Sequence, residues 1–109
     1  MTADTLASMP RVEVERRALH EKNKGNDHYR TGDYVSAAAA YTHSLRLDPA
    51  NAVVYANRAM CALKQKRYAL ALNDATAAIE LDDSYTKAFL RRAISVSYTH
   101  LTLPTKWIV

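Results

Sequence analysis

The chain repeats itself with a period of about 34 residues. Shifting the sequence by that interval superposes residues of similar size at seven pairs of positions: Gly25 and Ala59, Tyr34 and Tyr68, Ala37 and Ala71, Ser44 and Ala78, Leu45 and Ile79, Leu47 and Leu81, and Asp48 and Asp82. Small residues let two helices cross closely, and bulky ones fill the spaces between helices. The pattern therefore predicts stacked helical hairpins.

Turn residues divide each repeat into a first helix, called A, and a second, called B. We expect an A helix over residues 11–31 and a B helix over 34–47, separated by Gly32 and Asp33, because glycine adopts the left-handed conformation that ends helices. Asp48 and Pro49 close this repeat, since the residue before proline disfavours the helical conformation. The second repeat predicts helices over 52–65 and 68–81, and a third A helix begins near Tyr85. The prediction is an all-α fold with two full repeats and the first helix of a third.

The composition agrees with helices and narrows the classes of function. Two glycines and three prolines among 109 residues leave little material for the turns of a β protein. The net charge of +4 comes without a nucleic-acid-binding motif, so we expect no nucleic-acid partner. No stretch of 18 apolar residues predicts a membrane span. Cys61 is the one cysteine, predicted to be a packed core thiol, and its isolation favours the reducing cytosol or nucleus.

No arrangement of side chains in the sequence predicts catalysis. We find no nucleophile with a neighbouring base, no phosphate-binding loop and no histidines spaced as metal ligands on one helix face. The expectation is a protein that is not an enzyme and carries neither cofactor nor metal.

The repeat stops after Ile94. Beyond that residue, a shift of about 34 residues places Thr102 at the position of Tyr68, and Pro104 falls inside the B helix expected for the third repeat. We predict a flexible tail over 1–10, a repeat domain over 11–94 and an irregular segment over 95–109. That last segment is either a genuine irregular tail or not native, and we favour the second, because residues 96–105 resemble a translated transposase-based sequencing adaptor. The repeat domain would then be truncated, and its uncapped fifth helix would promote self-association.

Five polar side chains on the A helices are candidates for binding an anion. Lys22 and Asn26 are four residues apart and share a helix face, as do Lys87 and Arg91, and Asn57 lies on the helix between them. Because A helices of successive repeats lie side by side, the five could form one cradle. Lysine, arginine and asparagine donate hydrogen bonds to carboxylates, which suits a peptide ending in an acidic residue. The competing interpretation is a set of solvated surface cations.

The repeat resembles a known family at specific residues. Gly25, Tyr34, Ala37 and Tyr41, followed by Asp48-Pro49 and by residues 55–59, are similar to tetratricopeptide repeats over about residues 19–94. The resemblance implies hairpins stacked as a right-handed superhelix. Lys22, Asn26, Asn57, Lys87 and Arg91 match the dicarboxylate clamp of its chaperone-binding members. It thus implies binding of the Glu-Glu-Val-Asp tail of a heat-shock chaperone of the seventy- or ninety-kilodalton class.

Three kinds of protein within this family stay open. Residues 22–26 and 84–93 are similar to co-chaperones that deliver clients during assembly of large complexes. Residues 74–76 and 78–82 are similar to the regulatory domain of a serine/threonine phosphatase, whose catalytic domain would be missing here. The third alternative is a repeat scaffold for a different protein partner.

Overall fold

The computed structural model describes residues 9–102, with side chains up to residue 98. It contains five α-helices in chain order: α1 Arg11–Arg30, α2 Tyr34–Leu47, α3 Ala52–Lys64, α4 Tyr68–Leu81 and α5 Thr86–Thr102. Each helix packs on the next, and α3 also contacts α5. The all-α hairpin stack is confirmed: α2 and α4 have the predicted bounds, and the other predicted ends differ by one residue except the end of α5.

The two hairpin turns use the same backbone geometry with different residues. Gly32, between α1 and α2, has a φ of +81°. Lys66, between α3 and α4, has a φ of 60° and occupies the equivalent position of the second repeat. In the first turn, the Asp33 carboxylate also caps α2, accepting a hydrogen bond from the Ser36 N–H at 3.1 Å. The sequence predicted the left-handed glycine but not the left-handed lysine.

Replacing Lys66 with glycine is expected to stabilise the chain. A side chain in the left-handed region destabilises the folded chain by about 1–2 kcal/mol. Glycine removes that cost, but its greater freedom in the unfolded chain cancels about 0.5–1 kcal/mol of the gain. We expect Lys66→Gly to raise the free energy of unfolding by about 0.5–1 kcal/mol, measured by urea denaturation. Gly32→Lys is the reverse exchange and should lower it. A loss of stability in Lys66→Gly would show that the lysine is not strained.

Alanine dominates the core. Ala37, Ala56, Ala59, Ala71, Ala75 and Ala78 are fully buried, and Tyr41 and Val54 are the largest fully buried side chains. Such small residues bring helix backbones close together, as the repeat pattern predicted. Cys61 is buried among them, and burial raises the pKa of its thiol to about 11. The prediction of a packed core thiol is therefore confirmed.

The prediction of an irregular segment from residue 95 is wrong as far as Thr102, because α5 continues to that residue. No glycine or proline lies between Ile94 and Pro104, and the Ser95 hydroxyl donates to the Arg91 carbonyl at 2.7 Å, a bond that fits within a helix. The ring of Tyr98 stacks on Tyr68 at 4.6 Å, which holds the end of α5 against α4. Residues 1–8 and 103–109 lie outside the described part, and the adaptor origin of the segment stays a prediction.

The last helix exposes apolar surface, as expected of an uncapped stack. Phe89 is 44% exposed and Leu90 60% exposed on α5. Ala93, the third-repeat equivalent of the buried Gly25 and Ala59, is exposed as well. Self-association through this surface stays a prediction.

A charged cluster ties three helices together. The Arg58 guanidinium on α3 donates two hydrogen bonds to the Asp74 carboxylate on α4, at 2.8 and 2.7 Å. Its third donor reaches the Thr42 hydroxyl on α2 at 3.1 Å. Asp74 is buried, so the paired geometry offsets the cost of burying its charge. This cluster links α2, α3 and α4 to one another.

Candidate functional site: a donor-lined cavity between the A helices

A cavity of about 220 Å³ opens between the three A helices α1, α3 and α5. Its described lining consists of Asn26, Tyr29 and Arg30 from α1, Tyr41 from α2, Asn57 and Met60 from α3, and Arg91 from α5. The lining combines amide and guanidinium groups with two tyrosines and a methionine, a mixture of polar and apolar side chains typical of sites that orient a small ligand.

Three of the five predicted clamp residues line this cavity. Asn26, Asn57 and Arg91, which are far apart in sequence, are brought together by the stacking of the A helices. Lys22 and Lys87 are not in the lining. Each lies one helical turn before a lining residue of its own helix, with Lys22 partly buried and Lys87 exposed. The structure therefore gathers the centre of the predicted cradle and leaves the two lysines at its periphery.

The Arg91 guanidinium is the most unusual group in the cavity. Its Nε and Nη1 atoms are buried, and neither has a hydrogen-bond partner among the described residues. A buried donor without an acceptor destabilises the free protein, and an anion that accepts its hydrogen bonds removes that penalty. The arrangement is therefore suited to a ligand that supplies an oxygen acceptor.

Tyr41 and Asn26 form a hydrogen-bonded pair at the wall of the cavity. The Tyr41 hydroxyl donates to the Asn26 Oδ1 atom at 2.6 Å across the α1–α2 interface. Tyr41 is only 2% exposed, and burial raises the pKa of its hydroxyl to about 12. The hydroxyl thus remains a hydrogen-bond donor throughout the physiological pH range.

The lining carries positive charge without a matching negative one. It contains two guanidinium groups, Arg30 and Arg91, and no carboxylate among its described members. Arg30 also forms an exposed ion pair with Asp27 at 2.9 Å, so its charge is partly balanced from outside the cavity. The electrostatics favour an anionic ligand.

Four lining residues were not among the five predicted clamp residues: Tyr29, Arg30, Tyr41 and Met60. Arg30 could have been found, since it lies four residues after Asn26 on the same helix. Tyr41 belongs to a B helix, and only the packing of the two helices brings its hydroxyl to the cavity. Within the described residues there is no cluster of three or more metal-binding side chains, and no helix there is long and apolar enough to cross a membrane.

Two family models, each described as a tetratricopeptide repeat, match this chain over residues 22–51 and 40–73. The second tetratricopeptide domain of Spaghetti (RPAP3), solved bound to the HSP90 peptide SRMEEVD, is 42% identical with a TM-score of 0.77, and the match covers 79% of this chain and 80% of that one. The corresponding human domain in complex with the HSP70 peptide SGPTIEEVD is 41% identical, also at 0.77, over 80% of this chain and 72% of that one. The chain belongs to the tetratricopeptide repeat family.

Full-length relatives in the family include both kinds of protein that the sequence suggested. Human serine/threonine-protein phosphatase 5 is 42% identical over 80 residues, which is 73% of this chain and 16% of that protein. RNA polymerase II-associated protein 3 of Xenopus tropicalis is 43% identical over 70% of this chain and 12% of its own length. Mouse sperm-associated antigen 1 is 45% identical over 76% of this chain and 9% of its own length. The chain therefore spans at most about a sixth of these relatives.

Proposed function

We propose that this chain is a peptide-binding module of a cytosolic or nuclear co-chaperone, and that it holds the acidic C-terminal tail of an HSP90- or HSP70-class chaperone. The observation that carries the proposal is the pair of buried Arg91 atoms, Nε and Nη1, which have no hydrogen-bond partner among the described residues and belong to a cavity that also presents Asn26 and Asn57. A peptide that ends in aspartate carries two carboxylates close together, and their oxygens would be acceptors for the Arg91 donors.

The roles of the individual residues follow from their positions. Arg91 would donate from Nε and Nη1 to one carboxylate, and the amide groups of Asn26 and Asn57 would donate to the other. Lys22 and Lys87 lie at the periphery, where a flexible ammonium group can reach a bound carboxylate or attract it from a distance. The tetratricopeptide domains solved with peptides ending in Glu-Glu-Val-Asp support the choice of this ligand class.

Fluorescence anisotropy with a labelled peptide ending in Glu-Glu-Val-Asp tests the proposal on the full 109-residue chain. We expect a dissociation constant of about 1–100 μM, which a few charge-assisted hydrogen bonds can supply. Raising the salt concentration should weaken binding, because both partners are charged at the contact.

The matched control is the same peptide with an amidated C-terminus. It keeps the side chains but removes the main-chain carboxylate, so it should bind at least about tenfold more weakly. Equal binding of the two peptides would overturn the carboxylate assignment. A lack of binding at millimolar peptide would instead favour the scaffold for a different protein partner.

The phosphatase similarity supports a second candidate for the whole protein. The 42% identity with serine/threonine-protein phosphatase 5 covers the same repeats, so this chain could equally form the regulatory part of such an enzyme. The peptide-binding role of the repeats is the same in both cases. The transcript sequence beyond Ile94 separates them: further repeats support the co-chaperone, and a metal-dependent phosphatase domain supports the enzyme.

A further inference from the structure

The hydrogen bond between Tyr41 and Asn26 bears on the orientation of the Asn26 amide in the cavity. An asparagine amide has an accepting oxygen on one side and two donating N–H groups on the other, and the two can exchange by rotation about the final side-chain bond. In this chain the Tyr41 hydroxyl donates to the Asn26 Oδ1 atom at 2.6 Å. The oxygen is thereby held against Tyr41, and the amide nitrogen remains for other partners.

The position of the tyrosine hydroxyl is itself fixed by packing. A Cβ atom on Gly25 would lie 2.6 Å from Tyr41 Cε1 and 2.7 Å from Cδ1, so the ring rests directly on the backbone of α1. Tyr41 also belongs to the central buried cluster with Ala37 and Val54. The ring therefore has little room to move. Its hydroxyl reaches Asn26, the residue that follows Gly25 on α1.

We propose that Tyr41 is a positioning residue that locks the Asn26 amide with its N–H groups toward the ligand, and so makes the cavity select a free carboxylate over a neutral amide. The inference rests on the proposed function. Without the lock, Asn26 could turn its oxygen into the cavity, where it would repel a carboxylate and accept from an amide N–H.

Tyr41→Phe tests the lock because it removes the hydroxyl and keeps the ring on Gly25. We expect the free-acid peptide to bind about three- to tenfold more weakly, the loss expected for one hydrogen bond. The affinity ratio between the free-acid and amidated peptides should fall as well. A general loosening of the fold would weaken both peptides alike and leave the ratio unchanged, which would overturn the proposal.

Tyr68→Phe is the matched control. Tyr68 is also partly buried on a B helix, but it is not among the described lining residues of the cavity. This variant should keep both affinities and their ratio.

NMR of the free protein separates this inference from the proposed function. The side-chain ¹H–¹⁵N resonances of Asn26 report on its amide without any peptide. They should shift strongly in Tyr41→Phe and stay in place in Tyr68→Phe. If they do not move in Tyr41→Phe, the lock is absent, whatever the peptide does. If they move and the parent chain binds no peptide, the lock stands and the proposed function fails.

Discussion

Arg91→Ala is expected to reduce the affinity for a peptide ending in Glu-Glu-Val-Asp by about 10- to 100-fold. The substitution removes two buried donors that have no partner among the described residues of the free chain. Hydrogen bonds to charged groups contribute about 1.5–3 kcal/mol each, and about 1.4 kcal/mol corresponds to a tenfold change in affinity. Neutralising Lys87 in the same chain should abolish measurable binding. Anisotropy titrations of the three chains provide the test.

Arg92→Ala is the matched control for this prediction. Arg92 is the next residue of α5, it is exposed, and it is not among the described lining residues of the cavity. Its loss changes the net charge by the same amount as the loss of Arg91. We expect less than a threefold weakening, through long-range attraction alone. Equal effects of the two substitutions would show that net charge, and not the buried guanidinium, governs binding.

Gly25→Ala is expected to destabilise the fold, although alanine favours helices. The new Cβ atom would lie 2.6 Å from the Tyr41 ring, closer than real contacts allow, and the ring is buried. Overpacking of this kind costs about 1–3 kcal/mol or more, and the helix preference of alanine returns about 1 kcal/mol. We expect a net loss of about 1–2 kcal/mol by urea denaturation, together with weaker peptide binding because Tyr41 must move from Asn26.

Two further variants show whether the contact with Tyr41 is the cause. Tyr41→Leu replaces the ring with a smaller side chain, so Gly25→Ala should cost less in that background, a non-additivity that a double-mutant cycle measures. Gly32→Ala tests the other glycine. Its positive φ is strained for alanine, but no atom lies within 4 Å of the added Cβ. Its cost should not depend on residue 41. Additive effects of Gly25→Ala and Tyr41→Leu would contradict the steric explanation.

The helices could be predicted from the sequence almost to the residue because their limits are set locally. Gly32, Asp48 and Pro49 act on the backbone around them, and α2 ends at Leu47 as they predict. The end of α5 could not be predicted from the repeat. After Ile94 the sequence no longer shows the repeat's pattern of core positions, so the repeat predicted no helix there. No residue between Ile94 and Pro104 prevents the helix from continuing.

The candidate site could be predicted only in part, for reasons of geometry. Spacing along an A helix identified Asn26 and Arg91, because a helix face is a local property. It could not show that Nε and Nη1 of Arg91 are buried without a partner among the described residues, or that Lys87 stays exposed. The Tyr41 contact joins residues on two helices, and its importance depends on how closely α1 and α2 approach at Gly25.

The Arg58 guanidinium takes part in two interfaces at once, one between α3 and α4 and one between α2 and α3. The stability of a repeat array is roughly the sum of each repeat's own stability and the coupling to its neighbours. Arg58 contributes to the stability of its own repeat through Asp74 and to the coupling between the two repeats through Thr42. Neither hairpin can therefore unfold without breaking contacts of the other. The two repeats should therefore open together in hydrogen exchange, so the walls that α1 and α3 contribute to the cavity are kept or lost as one unit.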